Sequence, residues 1–184
     1  MSKSNNEVEL LRDVNATLIP HGEEFTLGRG EKVTITHRLG GNFTVMTLQG
    51  MYRIAAKDSD ALGEDASNIQ YKSEVSQDAS PADENKIREN LKSVFDPEIP
   101  VNVVDLGLIY RIEIENNNEK GRIAYIDLTL TAPGCGMGPV IAEDVRLKTV
   151  ELPGIDYAEV EIVWDPPWTQ DLISEEGKME LGLI

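Results

Sequence analysis

The stretch Leu108-Ile-Tyr-Arg-Ile-Glu-Ile-Glu115, then Asn116-Asn-Asn-Glu-Lys-Gly121, then Arg122-Ile-Ala-Tyr-Ile-Asp-Leu-Thr-Leu130 decides the fold of the C-terminal part. Apolar residues recur at every second position on both sides of a polar Asn/Gly run, the pattern of two half-buried strands joined by a turn. An antiparallel hairpin is expected here. Its flanks follow the helical period instead. Upstream, Ile87, Leu91, Val94 and Phe95 fall on one face of a helix that Ser80 or Asp83 can cap. That helix is expected to run through Phe95 and to stop before Pro97, because the residue ahead of a proline resists the helical region. Downstream, Thr131-Ala-Pro-Gly-Cys-Gly-Met-Gly-Pro139 is a loop, and a helix follows from Pro139 to about Leu152, ended by Pro153-Gly154. Tyr157-Ala-Glu-Val-Glu-Ile-Val-Trp164 alternates as a third strand, and Thr169 is placed to cap a last short helix. The order α-β-β-α-β-α specifies a small α+β sandwich with helices covering a sheet.

Ahead of this part the pattern is different. Val33-Thr-Ile-Thr-His37 and Phe43-Thr-Val-Met-Thr-Leu48 alternate apolar and Thr-type residues around the Gly40-Gly41 turn, and Met51-Tyr-Arg-Ile-Ala55 follows Gly50. Asn15–Ile19 and Phe25–Leu27 are weaker strand candidates. Together they suggest a small all-β domain over residues 1–63, a curled sheet or barrel of about five strands. Residues 64–82 are polar, without large apolar residues at any sustained period, and are expected to be a linker. The α+β domain then occupies residues 83–184.

Composition narrows the function. The 184-residue chain is 40% hydrophobic and 27% charged, enough apolar material for a core, and it carries a formal net charge of −16. Residues 1–81 hold 8 basic and 12 acidic side chains, and residues 82–184 hold 9 and 21. Such a balance argues against nucleic acid as a partner and against an anionic lipid surface, both of which require a basic footprint. No apolar run approaches the roughly 20 residues of a membrane helix, and the polar start of the chain lacks a signal-peptide core. The single cysteine, Cys135, excludes an intrachain disulfide and fits a reducing, cytoplasmic setting. No phosphate loop, nucleophile elbow or HExxH motif is present. His21 and His37, both in the first part, lack metal-type spacing. These absences favour a protein that is not an enzyme.

Cys135 is the strongest candidate for chemistry. It sits between Gly134 and Gly136 just ahead of an expected helix N-terminus, where free N–H groups and a partial positive charge favour an anion. A thiolate is that anion and is the form that binds metal. The sulfur is therefore expected to be held ionised and reachable, with the surrounding acids working against ionisation. The alternative is a small buried core cysteine. Asp105, embedded among Val103, Val104, Leu106 and Leu108, needs a partner at that position and is a candidate oxygen ligand near Cys135. Asp96 and Glu98, on either side of Pro97, read more simply as turn formers. Trp164-Asp-Pro-Pro-Trp168 can wall a pocket or cap the core.

Three ordered segments, Asp96-Pro-Glu-Ile-Pro100, Val104-Asp-Leu-Gly-Leu-Ile-Tyr110 and Leu128-Thr-Leu-Thr-Ala-Pro-Gly-Cys135, resemble the small domain of iron–sulfur assembly and PaaD-type proteins. The Gly134-Cys-Gly-Met-Gly-Pro139 loop, with His21-Gly-Glu23, Leu39-Gly-Gly-Asn-Phe-Thr-Val45 and Asp60-Ala-Leu-Gly63, is similar to the SufT family within that group. The resemblance implies a cytosolic auxiliary factor that helps deliver iron–sulfur clusters to client apoproteins, working with the assembly machinery, with Cys135 as the motif cysteine. It implies a transient cluster as cargo, for which Cys135 is the metal ligand and Asp105 a second candidate. One thiolate cannot replace the four that usually hold a cluster. The remaining ligands would come from a second subunit in a homodimer, a carboxylate, a small thiol or the client. A metal-independent adaptor that binds clients through its acidic surface is the alternative.

Overall fold

The computed structural model describes residues 6–64 and 80–184. The chain divides into two compact units, Met1–Tyr71 and Lys72–Ile184. Of the expected linker, residues 65–79 lie outside the described residues.

The first unit is all-β, with strands β1 (Glu7–Glu9), β2 (Val14–Ile19), β3 (Glu24–Leu27), β4 (Lys32–Leu39), β5 (Asn42–Met46) and β6 (Met51–Ile54). Every pairing is antiparallel, in the order β1-β4-β5-β6-β2-β3. Along β4, buried Val33 and Ile35 alternate with exposed Lys32, Thr34 and Thr36, and they meet Phe43, Val45, Tyr52 and Ile54 in one apolar core. Leu39 pairs with Asn42 across Gly40 and Gly41, whose φ angles are 59° and 84°. Positive φ at both central residues is what a type I′ hairpin demands, and two glycines meet that demand without steric cost. Among the described residues the sheet has six strands rather than about five. The unforeseen β1 is Glu-Val-Glu, three residues with one apolar side chain, too short for alternation to register. It and the four-residue β3 form the two ends of the sheet, which among the described residues is open rather than closed into a barrel. Short end strands limit the edge left for other chains to pair with.

The second unit follows the expected order: α1 (Glu84–Leu91), β7 (Ile109–Asn117), β8 (Gly121–Leu128), α2 (Gly138–Val150), β9 (Tyr157–Ile162) and α3 (Glu175–Glu180). β8 is central, antiparallel to β7 and parallel to β9. A parallel neighbour needs a long crossover, and α2 supplies it. Ile123, Ala124, Ile126 and Leu128 of β8 are buried, as are Ile87 and Leu91 of α1 and Ile141 and Val145 of α2. α1 begins at Asp83, whose carboxylate accepts the Lys86 N–H at 2.8 Å. It ends at Leu91, earlier than the expected Phe95. Ser93 and Val94 bond three residues back, to Asn90 and Leu91, and Phe95 pairs with Asn102. The Ser93 hydroxyl also donates to the Asn90 carbonyl at 2.7 Å, a side-chain competitor that helps end the helix there. At the other end, Thr169 opens only a 3-10 turn, Gln170–Leu172. The cap of α3 is Ser174, whose hydroxyl accepts the Gly177 N–H at 3.0 Å.

Candidate functional site

Two loops of the second unit build the site: the one that follows α1 and the one that joins β8 to α2. In the first, the Asp96 carboxylate accepts the N–H groups of Glu98 at 2.8 Å and Ile99 at 2.9 Å, closing a tight turn over Pro97. Asp96 is buried while Glu98 is left outside, so the turn presents the Glu98 side chain as a fixed projection. In the second, Gly134 takes φ +80°, and a Cβ there would meet nothing within 4 Å. The glycine answers to backbone conformation rather than to crowding. Gly138 is the opposite case. A Cβ there would lie 2.7 Å from Leu130 Cδ1 and 3.3 Å from Ile162 Cδ1, so this glycine lets the start of α2 press onto the sheet.

Between these glycines Cys135 is half-buried, its carbonyl accepting the Gly138 N–H at 3.2 Å. Its Sγ lies 3.7 Å from Glu98 Oε1, with the thiol donating. Burial pushes the Cys135 thiol pKa up, and the charges of Glu98 and Asp96 push it the same way, while the Met137 N–H pulls it down. The thiol is therefore favoured over the thiolate. This corrects the expectation of an ionised sulfur: one backbone N–H is outweighed by burial and two carboxylates. Asp96 is itself raised, chiefly by burial, against the two N–H groups that stabilise its charge.

Asp105 is engaged elsewhere. Its Oδ2 accepts Asn102 Nδ2 at 2.6 Å and its Oδ1 accepts the Ser174 hydroxyl at 2.8 Å. Its carbonyl takes the Ser174 N–H, and Gly177 packs so closely that a Cβ would sit 3.0 Å from that carbonyl oxygen. Asp105 thus ties the C-terminal helix to the loop after α1. Glu98, read from the sequence as a turn former, is the carboxylate in contact with the sulfur. No local signal marks this contact, because Glu98 and Cys135 are 37 residues apart in sequence. Among the described residues, no group of three or more His, Cys, Asp and Glu could hold a metal ion. His21 and His37 are both exposed in the first unit.

Beside Gly134, Trp164, Pro167 and Trp168 line an open cavity of about 440 Å³. Trp168 Nε1 donates to the Leu106 carbonyl at 2.7 Å, and the Tyr110 hydroxyl donates to the Pro166 carbonyl at 2.9 Å. Among the described residues, no helix is long and apolar enough to cross a membrane.

The sequence pattern of the family described as iron-sulfur cluster assembly protein matches residues 84–162, within the second unit. The chain is 41% identical over 90 residues to the Fe-S protein maturation auxiliary factor SufT of Staphylococcus aureus, covering 49% of this chain and 98% of that protein. It is 40% identical over 94 residues to an Fe-S protein maturation auxiliary factor of Porphyromonas gingivalis, covering 51% and 86%. With the Fe-S protein maturation auxiliary factor YitW of Bacillus subtilis it shares 38% identity over 104 residues, covering 54% and 98%.

Proposed function

Because the chain belongs to the SufT family of Fe–S protein maturation auxiliary factors, we propose that it matures iron–sulfur proteins by helping to pass clusters to client apoproteins at Cys135. The observation that carries this reading is the position of the chain's one cysteine. It lies inside the family-matched stretch, on a glycine-shaped loop, half-buried and in contact with one carboxylate.

The cluster is cargo on this reading. Cys135 supplies one thiolate, formed when the metal displaces its proton, and Glu98 is the carboxylate in place to accept that proton or an iron bond. Asp105, with both oxygens already bonded, acts by holding the loop rather than by ligation. The other ligands come from outside the site: the client's cysteines, a small thiol, or Cys135 of a second subunit. Incomplete ligation suits transfer, since a fully enclosed cluster would leave slowly.

Anaerobic reconstitution of the full chain with iron and sulfide, followed by transfer to an apo-ferredoxin, tests the proposal. The wild type is expected to take up visible absorbance with iron and sulfide, and to speed client loading. Cys135→Ser is expected to do neither. Equal loading by both proteins would refute a carrier role for Cys135 and leave the adaptor reading.

A further inference from the structure

A cavity lies beside the Cys135 loop, with Gly134 in its lining. Leu130, Thr131, Pro133 and Gly134 line it together with Trp164, Pro167 and Trp168, and the lining is mostly apolar. At about 440 Å³ it falls within the size range of pockets that take a small ligand or a few side chains. Its walls are held before any guest arrives. Trp168 is anchored through its only donor, Tyr110 pins the Pro166 carbonyl, and the ring of Pro167 fixes its own φ. A prearranged wall lowers the ordering cost of binding.

Charge selects the guest. Residues 82–184 carry 21 acidic against 9 basic side chains. Asp165 is exposed next to Trp164, itself 47% exposed, and Glu98 touches the residue that follows Gly134. The net negative charge of this part of the chain disfavours a carboxylate-bearing segment. An Arg or Lys side chain can lay its stem on the apolar wall, place its cation over an indole face and keep its charge close to the acids. We propose that this pocket docks a client segment through an Arg or Lys neighbouring the client's cluster-ligating cysteine, and so presents that cysteine to Cys135. The role in transfer rests on the reading of Cys135 given above. The binding of a basic segment does not.

The test uses the full chain and three peptides: acetyl-Gly-Arg-Cys-Gly-amide, and the same peptide with Glu or norleucine in place of Arg. Binding is read from the indole N–H signals of the two tryptophans by NMR. The Arg peptide is expected to shift both signals and to bind at least about fivefold more tightly than either comparator. Trp164→Ala should weaken it about fivefold, Trp164→Phe should retain most of the affinity, and Asp165→Asn should weaken it about twofold. Cys135→Ser should bind it like the wild type, so docking can succeed or fail independently of cluster binding. Norleucine binding as well as Arg, Glu binding as well as Arg, or Trp164→Ala matching the wild type would each overturn the proposal. Indole shifts that track protein concentration without peptide would assign the pocket to a second copy of the chain and overturn it as well.

Discussion

Replacing Glu98 by Gln removes a negative charge 3.7 Å from Cys135 Sγ while keeping the side chain's shape and an oxygen that can accept the thiol proton. Two unit charges at that separation repel by about 1 kcal/mol when screened as in water, the appropriate limit because Glu98 is exposed. That energy is a factor of about six in the thiolate population at neutral pH. A more populated thiolate is also a less basic and weaker nucleophile. With a Brønsted slope of about 0.4–0.5, the sixfold gain becomes a rise of about threefold in the alkylation rate. The two numbers can be read separately: ultraviolet thiolate absorbance across a pH titration gives the first, and the rate of iodoacetamide labelling of the only cysteine gives the second. The direction follows from the raised thiol, on which the Glu98 charge and burial act together. A Glu98→Gln protein whose labelling is unchanged or slower, at equal stability, would show that the carboxylate does not suppress ionisation and that the contact is incidental.

Other substitutions separate scaffold from site. Asp105→Ala should cost about 2–4 kcal/mol in chemical denaturation, because Asn102 and Ser174 each lose a buried acceptor; a loss below about 1 kcal/mol would contradict the tie between loop and helix. Gly107→Ala should cost about 3 kcal/mol or more, since φ is +72° and the added Cβ would sit 2.3 Å from the Leu172 carbonyl oxygen; a denaturation midpoint equal to wild type would disprove the close approach. Asp96→Asn keeps an oxygen for the Glu98 and Ile99 N–H groups and removes a buried charge. Asp96 is raised in the folded protein, so the native state holds its proton more tightly than the unfolded chain. Stability from that proton is complete below the unfolded carboxyl range and is lost as pH climbs through the folded value. Denaturation midpoints of Asp96→Asn and wild type should therefore converge in acid and separate in the variant's favour towards neutral pH. A gap that instead widened on acidification would reverse the sign of the burial effect.

The parts of the fold that were legible are those in which one period dominates. β7, β8 and β9 alternate over six residues or more, and Gly40-Gly41 fixes a hairpin by backbone conformation alone. The misread ends depend on partners distant in sequence. Whether α1 runs to Phe95 is decided by Asn102, which pairs with Phe95, and whether Thr169 or Ser174 caps α3 is linked to Asp105, which accepts both the N–H and the hydroxyl of Ser174. The site divides along the same line. The place of Cys135 on a glycine-shaped loop was legible because its flanking glycines are local. The contacts of Asp105 with Ser174 and of Glu98 with Cys135 were not, because they require knowing that residue 174 reaches residue 105 and that residue 98 reaches residue 135. Local composition marks an acid as needing a partner without naming which one.

A protonated cysteine is an odd resting state for a strong metal ligand and a sensible one for a ligand that must let go. Binding of iron at Cys135 requires loss of the thiol proton, so proton competition at a raised thiol works against metal uptake. Burial, Glu98 and Asp96 all act in that direction. They also lower the thiolate fraction open to oxidation in the apo protein. A client that offers several cysteines in a closed site then has the advantage over a single half-buried sulfur beside a carboxylate. On the proposed function, a thiol that must first lose its proton competes poorly with a client's several cysteines, and that difference favours transfer towards the client.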